Sequence, residues 1–163
     1  MDELLRISLL EGQARAMLVK SAALVEEARK IHDLSRTATA GLSRLLTGTA
    51  MLGAMLKSPT DSVTVSIRGN GPMGRLLSVG APDGTVKGYV EHPEVDPERR
   101  NGKLNVGGAV GSEGTLTVIK DMGLREPYVG QVHLVSGEIA EDFAMYFTAS
   151  EQTPSLVSLG ALV

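Results

Sequence analysis

The sequence contains no cysteine, which excludes a disulfide, a thiol nucleophile and a thiolate-held metal from these residues. It also lacks a charge excess that would attract nucleic acid. The 16 basic and 19 acidic residues are well mixed and leave a formal charge of -3, whereas binding to a phosphate backbone needs a basic field. The opening residues, MDELLRISLLEG, carry acids ahead of a short apolar run, with neither a cationic leader nor a small-residue cleavage site. The cytoplasm is therefore the expected compartment. No uncharged stretch reaches the length of a membrane span. Thr37 to Leu56 is the most apolar segment, but Arg44 interrupts it and leaves only Leu45 to Leu56 uncharged, well short of the roughly 20 residues needed at 1.5 Å each. Internal repeats, low-complexity tracts and interdomain linkers are missing as well.

What remains suits one globular domain, because 163 residues with 42% hydrophobic content are enough for one sizeable core. Thr37 to Leu56, with its uncharged part Leu45 to Leu56, reads as the buried central helix, with Gly48 and Gly53 allowing close backbone approach, Ser35 as its N-cap and Ser58-Pro59 as its stop. Before it, Ser21 to Leu34 predicts a surface helix: Leu24, Val25, Ala28 and Ile31 share one face, and Glu26 pairs with Lys30 at i,i+4. The first 19 residues alternate in part (Leu5, Ile7, Leu9, then Ala14, Ala16, Leu18) and predict one bent strand or two short ones around Glu11-Gly12.

From Ser62 the period becomes two. Val63, Val65 and Ile67 lie on one face, and further strands are expected at Arg75 to Val79, Thr85 to Glu91, Thr115 to Lys120 and Tyr128 to Leu134. The Pro-rich, charged run His92 to Lys103 reads as an exposed connection. A last helix is expected from about Glu138 to Ser150, capped by Ser136, with Ile139, Phe143, Tyr146 and Phe147 on one stripe. Two helical blocks around antiparallel hairpins predict an α+β fold, with two packed antiparallel sheets, a buried central helix and flanking helices.

One motif calls for a decision about chemistry. Gly69, Gly71 and Gly74 have the G-x-G-x-x-G spacing and follow a strand, as in a dinucleotide site. Such a site needs a helix to open at the glycines, with its N-terminus on the pyrophosphate. Here Pro82-Asp83-Gly84 turns the chain after only Arg75 to Ala81, too few residues for a parallel crossover. Pro72 also removes a backbone donor, although Glu91 stands about 20 residues on, where a ribose-binding acid would be. The turn reading is preferred, and a nucleotide-binding enzyme is kept as the weaker alternative. Hydrolase, zinc-protease, P-loop and calcium-loop spacings are all missing. His32, His92 and His133 read as surface or capping residues, and the adjacent acids Glu141 and Asp142 as a solvated helix flank, since neighbours in sequence do not share a helix face. No catalytic, metal-binding or cofactor-binding residue is assigned, and the chain does not read as an enzyme.

The run Gly114 to Ser155, GTLTVIKDMGLREPYVGQVHLVSGEIAEDFAMYFTASEQTPS, resembles the 33-kDa chaperonin family of redox-regulated heat-shock holdases. TATAGLSRLLTGTAMLGAMLK (Thr37 to Lys57), GNGPMG (Gly69 to Gly74) and GYVEHPEV (Gly88 to Val95) resemble it in the same order. The resemblance implies the N-terminal core domain of an ATP-independent cytoplasmic chaperone that holds unfolding client proteins under oxidative and heat stress. It also implies a homodimer, whose N-terminal strands could exchange. In that family four cysteines of a C-terminal domain hold zinc and form disulfides on oxidation. None is present here, so no zinc, redox or other cofactor residue carries over, and residues 1–163 are expected to be the core domain, truncated at its C-terminal end. Ser155 to Val163 reads as a strand ending in an unmatched apolar run. A promiscuous surface with methionines would suit a holdase. Met51 and Met55 read as core, and Met73 in the glycine turn as the better exposed candidate. Client-binding residues are left unassigned. The alternative within the family is a scaffold or dimerisation module without client binding.

Overall fold

A computed structural model describes all 163 residues. Strand β1 (Glu3–Leu9) and β2 (Ala14–Lys20) form an antiparallel ribbon, joined through a 3-10 turn at Leu10–Gly12. Helix α1 (Ala22–His32) leads to the long α2 (Arg36–Ala54), and β3 (Ser62–Gly69), β4 (Arg75–Gly80) and β5 (Val86–Val90) follow as a meander. After α3 (Val106–Val110) come β6 (Gly114–Asp121), β7 (Tyr128–His133) and α4 (Ala140–Ala149). The second sheet has the order β5-β4-β3-β6-β7 and is antiparallel throughout. The α+β class with two antiparallel sheets is as expected from the sequence.

The period-two pattern of β3 buries Val63, Val65 and Ile67, while Ser62, Thr64 and Ser66 stay half-exposed. Leu76 and Ser78 of β4, Val86 and Val90 of β5, Leu116 and Val118 of β6 and Val132 of β7 complete the buried face. Helix α2 lies on it with 15 of its residues buried, which explains its near-continuous apolar sequence. Ser35 is the N-cap, its hydroxyl accepting the Ala38 N–H at 3.0 Å. Phe143 of α4 packs against Gly48 of α2, where a Cβ would come within 2.5 Å of the ring. Ile139, Phe143, Tyr146 and Phe147 are all buried, as their stripe predicted. The β1–β2 ribbon is fastened to α2 by Arg6, whose guanidinium donates to the Ala54 carbonyl at 3.0 Å, and by the Ser21–Thr47 hydroxyl pair at 2.8 Å. No helix is long and apolar enough to cross a membrane.

Four expectations are corrected. Helix α4 starts at Ala140, and Ser136 does not cap it. Asp142 does, accepting the Ile139 N–H at 2.8 Å, because Ile139 takes φ 77° at the centre of a tight γ-turn closed by Ala140 N–H to Glu138 O. Asp142 is therefore fully buried, and only Glu141 is solvated. Met73 is fully buried against Gly41, because the glycine turn folds inward under α3. Residues 155–163 are extended but form no strand, since no neighbouring strand is placed to pair with them. Helix α3 was not anticipated. It has five residues, two of them glycine, and is held by Asn105, whose side chain accepts the Gly108 N–H at 2.9 Å.

Candidate functional site

The glycine motif closes the β3–β4 hairpin, with Arg68 opposite Arg75. No helix opens there. The two backbone donors flanking Pro72 are already used: Gly71 N–H donates to the Val110 carbonyl and Met73 N–H to that of Ala109, both at 2.9 Å. Glu91 accepts the Arg75 N–H at 2.8 Å. That bond, helped by Arg68, His92 and Arg75, holds its carboxyl below the ordinary range. The motif thus docks a turn against α3, and its donors are not presented to a phosphate.

The histidines are not brought together. His32 ends α1, His133 is exposed on β7, and His92 lies between Glu91 and Glu94, at 3.9 and 3.8 Å. With no cysteine and the imidazoles dispersed, these residues do not form the donor set of a zinc site.

A half-buried polar cluster around the buried Tyr146 lies where β6, β7 and α4 meet. Glu151 pairs with Lys120 and accepts the Tyr146 hydroxyl at 2.7 Å, and the Lys120 ammonium stands 5.2 Å from the centre of the Tyr128 ring. Tyr146 is fully buried. Burial, then the bond to Glu151, pushes its hydroxyl well above the ordinary tyrosine range. A phenol that must stay protonated cannot serve as a base near neutral pH, so the cluster fastens the end of α4. Because the folded state favours the protonated form, its contribution is complete below the unfolded pKa of about 10 and is lost as pH rises beyond it. Thermal melts from pH 8 to 11 should show the wild type losing stability more steeply than Tyr146→Phe above pH 10; parallel curves would show that Tyr146 is not responsible.

The unusual surface is the N-terminal ribbon. The register places Leu5 opposite Leu18, Ile7 opposite Ala16 and Leu9 opposite Ala14, so six apolar side chains share one face. That face points to solvent: Leu5 is 56% exposed, Leu9 46% and Leu18 57%. The other face, with Leu4, Met17 and Val19 half-buried, turns toward α2. A two-stranded ribbon is marginal by itself. This one is held by its bonds to α2 and by Asp2, whose carboxylate accepts the Ala23 and Leu24 N–H groups at 2.9 and 2.7 Å and so caps α1. The alternation was legible in the sequence, but its outward orientation was not, since period two does not say which face is covered. Met51 and Met55 are half-buried at the edge of α2, so neither they nor Met73 form part of this patch.

A family model described as Hsp33 protein matches residues 2–163. The chain is 52% identical over 162 residues to a 33 kDa chaperonin of Clostridioides difficile, covering 99% of this chain and 56% of that protein. It is 49% identical to one of Bacillus cytotoxicus, with the same coverage of 99% and 56%. The crystal structure of a 33 kDa chaperonin from Thermotoga maritima, described as a heat shock protein 33 homolog, superposes with a TM-score of 0.93 at 43% identity, covering 98% of this chain and 55% of that one. The chain spans about half the length of the curated relatives it matches.

Proposed function

The chain belongs to the Hsp33 family, and from that premise we propose that it is the folded core of an ATP-independent holdase of the cytoplasm that keeps unfolding proteins from aggregating. The observation that carries this reading is the solvent-facing apolar side of the ribbon, Leu5, Ile7, Leu9 and Leu18. Contiguous apolar surface of this kind marks a binding site for other apolar surface. A two-stranded ribbon tethered at α2 can adapt to unrelated partners better than a shaped pocket can. Holding a client in this way needs no nucleotide and no bond chemistry, which agrees with relatives named for a chaperone. These residues offer no thiol through which redox control could act. A homodimer would use the same surface, because a self-complementary apolar face is what an isologous contact needs.

The test is light scattering from a chemically denatured client diluted into buffer containing this chain, without oxidant, beside an inert protein of equal mass. Dose-dependent suppression is expected. The double variant Leu5→Asn, Leu18→Asn should lose most of it while melting within about 0.5 kcal/mol of the wild type, as surface substitutions do. Unchanged aggregation with the wild type would overturn the holdase reading and leave a scaffold or dimerisation module.

A further inference from the structure

Behind the ribbon lies a cleft of about 610 Å³ that meets the exposed face only at Leu18. Met17 and Val19 of β2 form one side, Val25 of α1 and Thr47 and Met51 of α2 form the floor, and residues 158–163 form the opposite wall. Two features of the backbone distinguish it from an ordinary surface groove. Strand β2 is laddered to β1 along one edge only, so its other edge is free for its whole seven residues. Across the cleft, the segment from Pro154 onward has no backbone hydrogen bond at all, the last being Thr153 N–H to the Phe147 carbonyl. Val157, Leu159 and Ala161 nevertheless pack against the core, while Leu156 and Leu162 are fully exposed. This is the side-chain alternation of a strand without the ladder of one.

Backbone donors and acceptors are obligatory hydrogen-bonding groups, and an unpaired strand edge is a template for a further strand. Here two segments with open backbones flank one cleft, in which the apolar side chains of Val25 and Met51 lie among Thr47, Lys20, Glu26 and Arg44. That arrangement fits an extended polypeptide better than a compact small molecule: main-chain bonds would give affinity, and the floor would take alternate side chains.

We propose that this cleft takes an extended apolar segment of a client as an added strand, laddered to the free edge of β2 and walled by residues 158–163. The proposal rests on the holdase reading, since it is that reading that supplies unfolded clients. It deepens the reading by giving a sequence-independent mode of capture, because backbone pairing tolerates any side chain that fits every second position. β2 then serves two roles: its outward face gathers apolar surface, and its free edge orders one segment of the chain gathered.

The test uses the full chain and two fluorescein-labelled peptides of alternating valine and threonine flanked by lysines, identical except that one is N-methylated at alternate amides. Methylation removes ladder donors and keeps the side chains. In fluorescence anisotropy the parent peptide should bind at least about tenfold tighter than its methylated copy, a difference of ~1.4 kcal/mol. Met51→Arg, or Val25→Arg should that variant fail to fold, should weaken the parent peptide by a similar factor. Equal binding of the two peptides would overturn the proposal in favour of apolar adhesion. So would a dimer in sedimentation that saturating peptide leaves intact and Met51→Arg dissolves, since the cleft would then be a seam between copies. Suppressed aggregation with equal peptide binding removes the added strand and leaves the holdase. Unequal peptide binding without suppression leaves the strand site and removes the holdase.

Discussion

Asp142→Ala is expected to be among the most destabilising single substitutions in this chain, by about 3–5 kcal/mol. The carboxylate is fully buried and accepts N–H groups from Val135 at 2.7 Å, Ser136 at 3.2 Å and Ile139 at 2.8 Å, with that of Gly137 at the limit of 3.5 Å. Alanine leaves these donors facing a methyl group; those of Gly137 and Ile139 are buried, and each orphaned buried donor costs about 1–3 kcal/mol. Part of the loss is recovered, because Ile139 at φ 77° is a strained β-branched residue that could relax once released. Relaxation is limited by the side chain of Ile139, which is fully buried in the core. A fall in melting temperature of about 8–15 °C follows for a domain of this size. Asp142→Asn should lie between: one oxygen remains as acceptor, and the amide nitrogen that replaces the other meets a donor. A melt of Asp142→Ala within about 1 kcal/mol of wild type would show that water can satisfy the loop and that Asp142 is no clamp.

Asp142 also shows where sequence reading reaches its limit. Neighbouring helical residues do face different directions, and that rule separates Glu141, which is exposed, from Asp142, which is not. What the rule cannot supply is the chain reversal at residues 135–139 that delivers a set of N–H groups to one carboxylate. Local signals fared better. The period-two strands, the α2 helix with its Ser35 cap and the Glu26 pair with Lys30 at 3.3 Å were all legible, because each depends on residues within a turn or two of one another. Long-range partners were not: the cap of α1 comes from Asp2, some 21 residues away. The candidate site falls between these cases. The alternation of Leu5, Ile7 and Leu9 is visible, but a strand whose apolar face meets solvent has the same pattern as one facing a core. The distinction needs to know that the ribbon is carried on α2 by its opposite face.

The glycine motif provides the second large effect. Gly69→Ala is expected to cost roughly 3 kcal/mol, at the upper end for overpacking. Its Cβ would stand 2.1 Å from the Val110 carbonyl oxygen and 2.8 Å from that of Gly111. Both obstacles are backbone, so no side chain can swing aside. Either α3 must shift or the β3–β6 register, which ends at Gly69 opposite Gly114, must open. Retreat of α3 would also break the Gly71 and Met73 bonds to Val110 and Ala109 and uncover Met73. Gly160→Ala serves as the control, since nothing lies within 4 Å of its Cβ position, and it should be neutral. The measurement is a reversible thermal melt of both variants, with a fall of about 6–12 °C expected for Gly69→Ala alone. A neutral Gly69→Ala would mean that the turn is free to move away from α3, and the glycine spacing would again need an explanation other than packing. A large loss confined to Gly69→Ala would establish why a dinucleotide-like spacing stands here: two backbones meet at the turn, and only glycine leaves them room.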